Sequence, residues 1–275
     1  MKFSSWFNNS RGGIRARRIL MVFYIALLIL VPSGLTASER HGLFTEVLKA
    51  HVVDGHVNYT ALKNDPRLAQ YLAQLAATDP TELATDDERA AYWLNVYNAY
   101  TLKLISDNMP LQSISELHFF GSVYLGVLFG ETIWQNHTFP LYGGKLYTLD
   151  HVEHAILRPV YQDYRHHAAF VCAAASCPPL RFEAYEGARL SEQLDAQMRV
   201  WLNTRKWNYY DAANQKLYIS SIFNWFEDDF LKDGGGEIVD VLLPYFATKL
   251  QEQIRADRAR LRVKFLTYDW SLNGE

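Results

Sequence analysis

The first 37 residues of this 275-residue chain decide how much of it is left to fold. Arg11, Arg15, Arg17 and Arg18 precede an apolar run from Ile19 to Val31, and Pro32 to Ala37 then supplies small residues of the kind a signal peptidase accepts. A basic start, a short apolar centre and a small-residue exit are the three parts of a secretory signal. The apolar run falls short of the roughly 20 residues a spanning helix needs. Cleavage is expected near Ala37, which makes the mature protein periplasmic or secreted. An uncleaved signal anchor is the alternative, and the only route to a membrane. The Arg17-Arg18 pair is not followed by a convincing twin-arginine sequence, and no cysteine lies where a lipid could be attached.

Residues 38–275 then read as a single globular domain. Apolar residues make up 49% of the sequence and charged residues 21%, enough for a sizeable core. The formal net charge of −3 argues against nucleic acid, whose binders carry basic stripes or domains. Export would put Cys172 and Cys177 where disulfides form. Two cysteines cannot scaffold so large a domain, so the core must stabilise it.

Local signals lay out the elements. Val52-Val53-Asp54-Gly55-His56-Val57 reads as a hairpin, because Asp-Gly readily takes the positive φ values of a tight turn. Asp65-Pro66 starts a helix with Leu68, Leu72 and Leu75 on one face. Thr85-Asp86-Asp87-Glu88 is a capping box that opens the longest helix, to about Asn108, with Trp93, Val96, Tyr97, Tyr100 and Leu104 as an apolar stripe. Gly121 to Gly144 reads as a long loop ending in a hairpin, and Asp150 to Glu153 as the start of a short helix stopping near Arg158-Pro159. Ala168 to Cys172 reads as a buried strand, followed by a loop stiffened by Pro178-Pro179. Ser191 is expected to cap another helix. Two strands flank Asn214-Gln215, a helix runs from Phe223 to Leu231, Gly234 to Gly236 forms a flexible joint before a helical stretch, and Val263 to Tyr268 is a final strand.

Several stretches together resemble domain-of-unknown-function family 547. They are Trp93-Leu94-Asn95-Val96-Tyr97-Asn98, Leu149 to His154, His167 to Cys172, Ser176-Cys177-Pro178-Pro179-Leu180, Phe223-Asn224-Trp225-Phe226 with Asp229-Phe230, and Tyr268 to Asn273. The resemblance runs from about residue 43 onward and implies no established activity. Ala168 departs from the pattern, which has an aromatic there.

The residues that could carry chemistry are few. Cys177, in a loop, is the candidate nucleophile, since an accessible thiol is activated when a histidine or helix N-terminus lowers its pKa. His167 and His154 are the candidate bases, Glu153 an orienting group, and Asn95 or Asn98 a polarising donor. His167 and Cys172 are five apart on the expected strand and so should face opposite ways, leaving Cys172 as a buried structural cysteine. Of His166 and His167, one is expected exposed and one inward. Asp228-Asp229 reads as a solvated face, with Asp229 bonding backbone donors.

Two further arrangements compete. A long helix, then His167, then Asp269 follows the chain order of transglutaminase-like folds, with Asn95 and Asn98 on the helix where those folds carry a cysteine. His151 and His154, with His167, Glu153 and the cysteines, could surround a metal, but the spacing matches no ligand signature and none is expected. With no P-loop, dinucleotide fingerprint or serine elbow, no cofactor is expected either.

The fold class is therefore α+β: a single domain with several helices packed on a small, mostly antiparallel sheet, distantly like cysteine proteases and transglutaminases. The leading function is a thiol-dependent hydrolase or acyl transferase of the cell envelope. The alternative is a non-catalytic envelope domain that binds a peptide or glycan in an aromatic cleft.

Overall fold

The computed structural model describes residues 37–232 and 236–275. The segment expected to be a secretory signal lies outside the described residues, apart from Ala37, which begins a helix. Most of the joint expected at Gly234 to Gly236 lies outside them too.

The fold is organised by the helix Asp86–Asn108. Thr85 Oγ1 accepts the Glu88 amide at 3.1 Å while the Glu88 carboxylate accepts the amides of Ala84 and Thr85, so the capping box is complete. Asp86, Asp87 and Glu88 add negative charge where the helix dipole favours it. Sixteen of its 23 residues are buried, so the expected stripe is in fact burial on every side. A helix that is apolar all round belongs in the centre of a domain. Helix Ala37–His51 and helix Pro66–Ala77 pack together, and the second also meets the central helix. Asp65 caps it by accepting the Arg67 amide at 3.0 Å, Pro66 opens it, and Leu68, Leu72 and Leu75 are buried.

The α+β class holds, with the strands of the described residues divided among three small sheets rather than one platform. Val52–Val53 pairs with His56–Val57 through a turn with Asp54 and Gly55 at φ of 50° and 79°. Thr138–Pro140 pairs with Leu146–Thr148 across Gly143 and Gly144. Lys216–Ile219 lies between Tyr209–Asp211, antiparallel, and Arg262–Phe265, parallel, with Leu217 opposite Val263. Strands of two to four residues cannot carry a helical layer, so the helices themselves make the core.

Several local expectations are corrected. The segment read as a loop from Gly121 holds two short helices, Val123–Phe129 and Ile133–Asn136, capped by Ser122 and Thr132. Glycines masked these caps. Thr148, not Asp150, caps the next helix, which begins at Leu149 and continues through Val152–Tyr161 in π-helical turns. Pro159 sits inside that stretch, and the helix ends instead at Gln162, where φ is 53°. Helix Leu190–Asn203 starts before Ser191, which makes no cap bond. The helix expected from Phe223 to Leu231 is two turns, Ile222–Trp225 and Glu227–Phe230, broken at Phe226.

The expected strand at Ala168 to Cys172 is absent. Tyr164–Ala168 is a 3₁₀ turn, and the backbone beyond it is irregular. Asn98, buried on the central helix, replaces a neighbouring strand: its Nδ2 donates to the Ala169 carbonyl at 2.9 Å and its Oδ1 accepts the Val171 amide at 3.0 Å. A side-chain amide can satisfy one backbone donor and one acceptor, so this segment stays buried without a ladder.

Residues 268–275 bind back across the molecule. The Asn273 amide donates to the Ala173 carbonyl at 2.8 Å, its carbonyl accepts the Val57 amide at 3.2 Å, and its side chain accepts the buried Tyr59 hydroxyl at 2.7 Å. The Ala175 amide donates to the Ser271 carbonyl at 2.7 Å. This segment thereby joins the first hairpin to the cysteine loop.

Candidate functional site

A cavity of about 490 Å³ opens where the central helix, the π-helical stretch, the cysteine loop and the closing segment meet. Tyr97 comes from the central helix, Asp150, Glu153 and His154 from the turns after Thr148, and Trp225 and Phe226 from the broken helix. Tyr124 and Trp134 come from the two short helices, and Tyr268 and Trp270 from the closing segment. Its size and mainly aromatic lining are those of a small-molecule or peptide side-chain site.

Both cysteines line this cavity, joined as a Cys172–Cys177 disulfide. Two expectations are reversed. Cys177 is 4% exposed, whereas Cys172 is only partly buried. His167 and Cys172 also line one cavity instead of facing opposite ways, because strand alternation does not apply to the irregular backbone between them. Cys177 Sγ accepts the Cys172 amide at 3.0 Å, and the Tyr268 hydroxyl donates to it at 3.3 Å. Burial, and after it the charge of Glu153, pushes the Tyr268 hydroxyl well above its usual pKa, so it remains a donor.

His167 is buried, and so is His166, contrary to the expectation of one exposed ring. His167 stacks on Phe226 with centroids 4.5 Å apart and on Phe230 at 5.3 Å. Its Nε2 lies 2.7 Å from Asp229 Oδ2, which also accepts from Arg158 Nε at 2.5 Å. Burial raises the Asp229 carboxyl, but the bonds from His167 and Arg158 outweigh it and hold the group well below the usual carboxylate range. An ionised carboxylate can only accept, so Nε2 carries the proton that points at Asp229. The opposite nitrogen, Nδ1, is buried without a partner. The arrangement is a histidine oriented by a carboxylate with one ring nitrogen left open for a proton.

His154 stands differently. Arg158 Nη1 lies 2.7 Å from its Nδ1, and since arginine can only donate, that nitrogen is occupied as an acceptor. Its Nε2 lies 3.8 Å from both Asp150 and Glu153. Glu153 does not orient His167, a task that falls to Asp229. It stands instead beside the buried hydroxyl of Tyr97, which burial and then the Glu153 charge push upward.

Asn95 and Asn98 do not point donors at the cavity. Asn95 pairs with the Tyr185 backbone, donating to its carbonyl at 2.8 Å and accepting its amide at 2.9 Å, while Asn98 holds residues 169 and 171 as described. The transglutaminase-like order is not assembled around His167 either. Asp269 accepts the Ser271 amide at 2.9 Å and is absent from the cavity wall. The metal arrangement also fails to converge: among the described residues, no three of His, Cys, Asp and Glu are grouped to hold an ion.

Asp229, Tyr268 and the cavity's three tryptophans, Trp134, Trp225 and Trp270, are among the site residues that sequence reasoning missed. Asp228-Asp229 stands near a helix end, where a pair of carboxylates is expected to be a solvated face. The pairing with His167 spans 62 residues and leaves no local pattern. The one available signal was the recurrence of Asp229-Phe230 and Tyr268 to Asn273 among the stretches shared with the resembling family.

Residues 80–202 match the family model described as "Protein of unknown function, DUF547". The match covers Glu153, His154, His167 and both cysteines, and ends before Asp229 and Tyr268. No curated protein and no solved structure matches the chain.

Proposed function

With residues 80–202 matched to DUF547, a family whose description gives no activity, we propose that this chain is an exported thiol-dependent hydrolase or acyl transferase whose disulfide holds it inactive until reduced. The observation that carries the reading is that both cysteines and the Asp229-oriented His167 line one cavity. A nucleophile, a base and a group fixing the base's tautomer are the minimum for covalent acyl transfer.

Reduction by a dithiol opens the bridge: the reductant is oxidised to its own disulfide, and Cys172 and Cys177 become thiols. Cys177 is the nucleophile, since the Cys172 amide and the Tyr268 hydroxyl both donate to its sulfur and so favour the thiolate. His167 Nδ1 takes the thiol proton while Nε2–H stays on Asp229. The thiolate attacks an acyl carbonyl, the leaving group departs with the proton from His167, and water or a second acceptor releases the acyl group.

Export, part of the same proposal, would keep the bridge closed, because a disulfide persists in an oxidising compartment. The disulfide itself favours a second reading, a non-catalytic envelope domain that binds a peptide or glycan against the aromatic wall. Incubation with an activated nitrophenyl ester separates the two. The reduced protein is expected to release a burst equal to its own concentration, absent before reduction and in Cys177→Ala, and slowed about 10²-fold or more in His167→Ala. A reduced protein that is never acylated leaves the binding module.

A further inference from the structure

The charges around the cavity are one-sided. Asp150 and Glu153 line it, and among the described residues no lysine or arginine does. Arg158, bonded to the cavity residue His154, is spent elsewhere: it also bonds Asp229, and its guanidinium lies over the Phe226 ring at 4.6 Å. Glu153 has only 12% of its side chain exposed, and among the described residues the sole basic group within 4 Å of it is His154 Nε2, at 3.8 Å. With Nδ1 of that ring accepting from Arg158, a neutral His154 offers Glu153 an N–H but no charge.

A nearly enclosed carboxylate without a paired cation is costly to keep, and costs of this kind are met at binding sites by the ligand. The walls around it are of matching chemistry. Tyr97, Phe170, Trp225, Phe226, Tyr268 and Trp270 face the cavity with aromatic rings, whose negative faces attract cations and attract them more once water is excluded. Trp225 and Trp270 lie nearly parallel, 9° apart with centroids at 6.0 Å, and Trp225 meets Tyr268 at 4.8 Å. His167, which lines the same cavity, keeps a buried Nδ1 without a partner.

We propose that the cavity recognises an organic ammonium group, such as the end of a lysine side chain, with Glu153 as its counter-charge and the aromatic rings as its cage. The inference deepens the reading above by naming the charged group of the substrate, but it rests on the cavity and not on the thiol chemistry.

The test uses the full chain with its disulfide intact, so that no acyl transfer contributes. Tryptophan fluorescence and calorimetry follow titration with Nα-acetyl-lysine methylamide and with its neutral counterpart acetylated on Nε. The cationic probe is expected to bind saturably, about tenfold or more tighter than the neutral one, and Glu153→Gln is expected to remove most of that preference. Trp225→Ala should weaken the cationic probe as well, and thermal unfolding of each variant shows that it is folded. Equal binding of the two probes, no binding of either, or an unchanged preference in folded Glu153→Gln overturns the proposal. Should that occur while the reduced protein is still acylated, only the ligand class fails. Retained preference without acylation removes the thiol reading and leaves the ammonium site standing.

Discussion

His167 Nε2 lies 2.7 Å from an Asp229 oxygen that Arg158 also binds at 2.5 Å, so one carboxylate fixes the ring of the cavity's most buried histidine. Truncating it affects more than an ion pair. Asp229→Asn removes the negative charge that sets the ring's tautomer and leaves a single neutral amide oxygen where a carboxylate oxygen now accepts from both His167 and Arg158. Loss of about 1–3 kcal/mol of stability is expected at neutral pH, read by urea unfolding.

The same carboxylate gives the fold an acid sensitivity of known sign. Its pKa is depressed in the folded state, so its contribution is complete above the usual carboxylate value near 4. That contribution fades as the pH falls through that value toward the folded one. Stability of the native protein should therefore drop more steeply below about pH 4 than that of Asp229→Asn. Parallel acid branches in a pair of urea-midpoint titrations would show that Asp229 is not so held.

The two sulfurs should differ once separated. In Cys172→Ser the remaining Cys177 keeps the Tyr268 donor and a backbone N–H, whereas Cys172 in Cys177→Ser has only the Tyr268 hydroxyl, at 3.4 Å. The pH midpoint of alkylation is expected to be lower for Cys177, and Tyr268→Phe in the Cys172→Ser background should raise it. Without reduction the native chain should take up no alkylating label at all, which intact mass spectrometry reads directly.

Asn98→Ala should be among the more damaging single changes. It deletes two bonds to buried backbone and leaves the Ala169 carbonyl and Val171 amide without partners, at a cost of about 2–4 kcal/mol. Asn98→Asp can still accept from Val171 but cannot donate to Ala169, and it buries a charge. Guanidinium unfolding of both variants checks the ordering, with neither expected to match the native midpoint.

Gly274 is required by proximity. A Cβ there would lie 2.0 Å from the Val57 carbonyl oxygen and 2.8 Å from the Tyr59 ring. Gly274→Ala should displace the closing segment and cost about 1–3 kcal/mol or more. A thermal midpoint unchanged by this substitution would mean that the segment does not dock as described.

What the sequence discloses here is local. The capping box at Thr85, the Asp65-Pro66 start and the Asp54-Gly55 turn each depend on residues within three or four positions, and each is found where the pattern puts it. The cysteine loop was misread for the opposite reason. Ala168 to Cys172 has the composition of a strand, but its backbone partners come from Asn98, more than 70 residues away. Asp229 was lost in the same way. The candidate sulfurs and His167 were legible because few residue types perform such chemistry, whereas their geometry depended on contacts that no local pattern encodes.

The position of residues 268–275 also sets a timetable. Tyr268 covers a sulfur 91 residues earlier in the chain, and Asn273 fastens to Tyr59 across 214. Such distant partners close late, after the entropy of a long loop has been overcome. In a chain threaded through a secretion pore from its N-terminus, both cysteines would emerge well before the residues that roof them. An oxidant would then have its easiest approach to the pair in that interval, and the finished domain would shelter whichever redox state the interval had left.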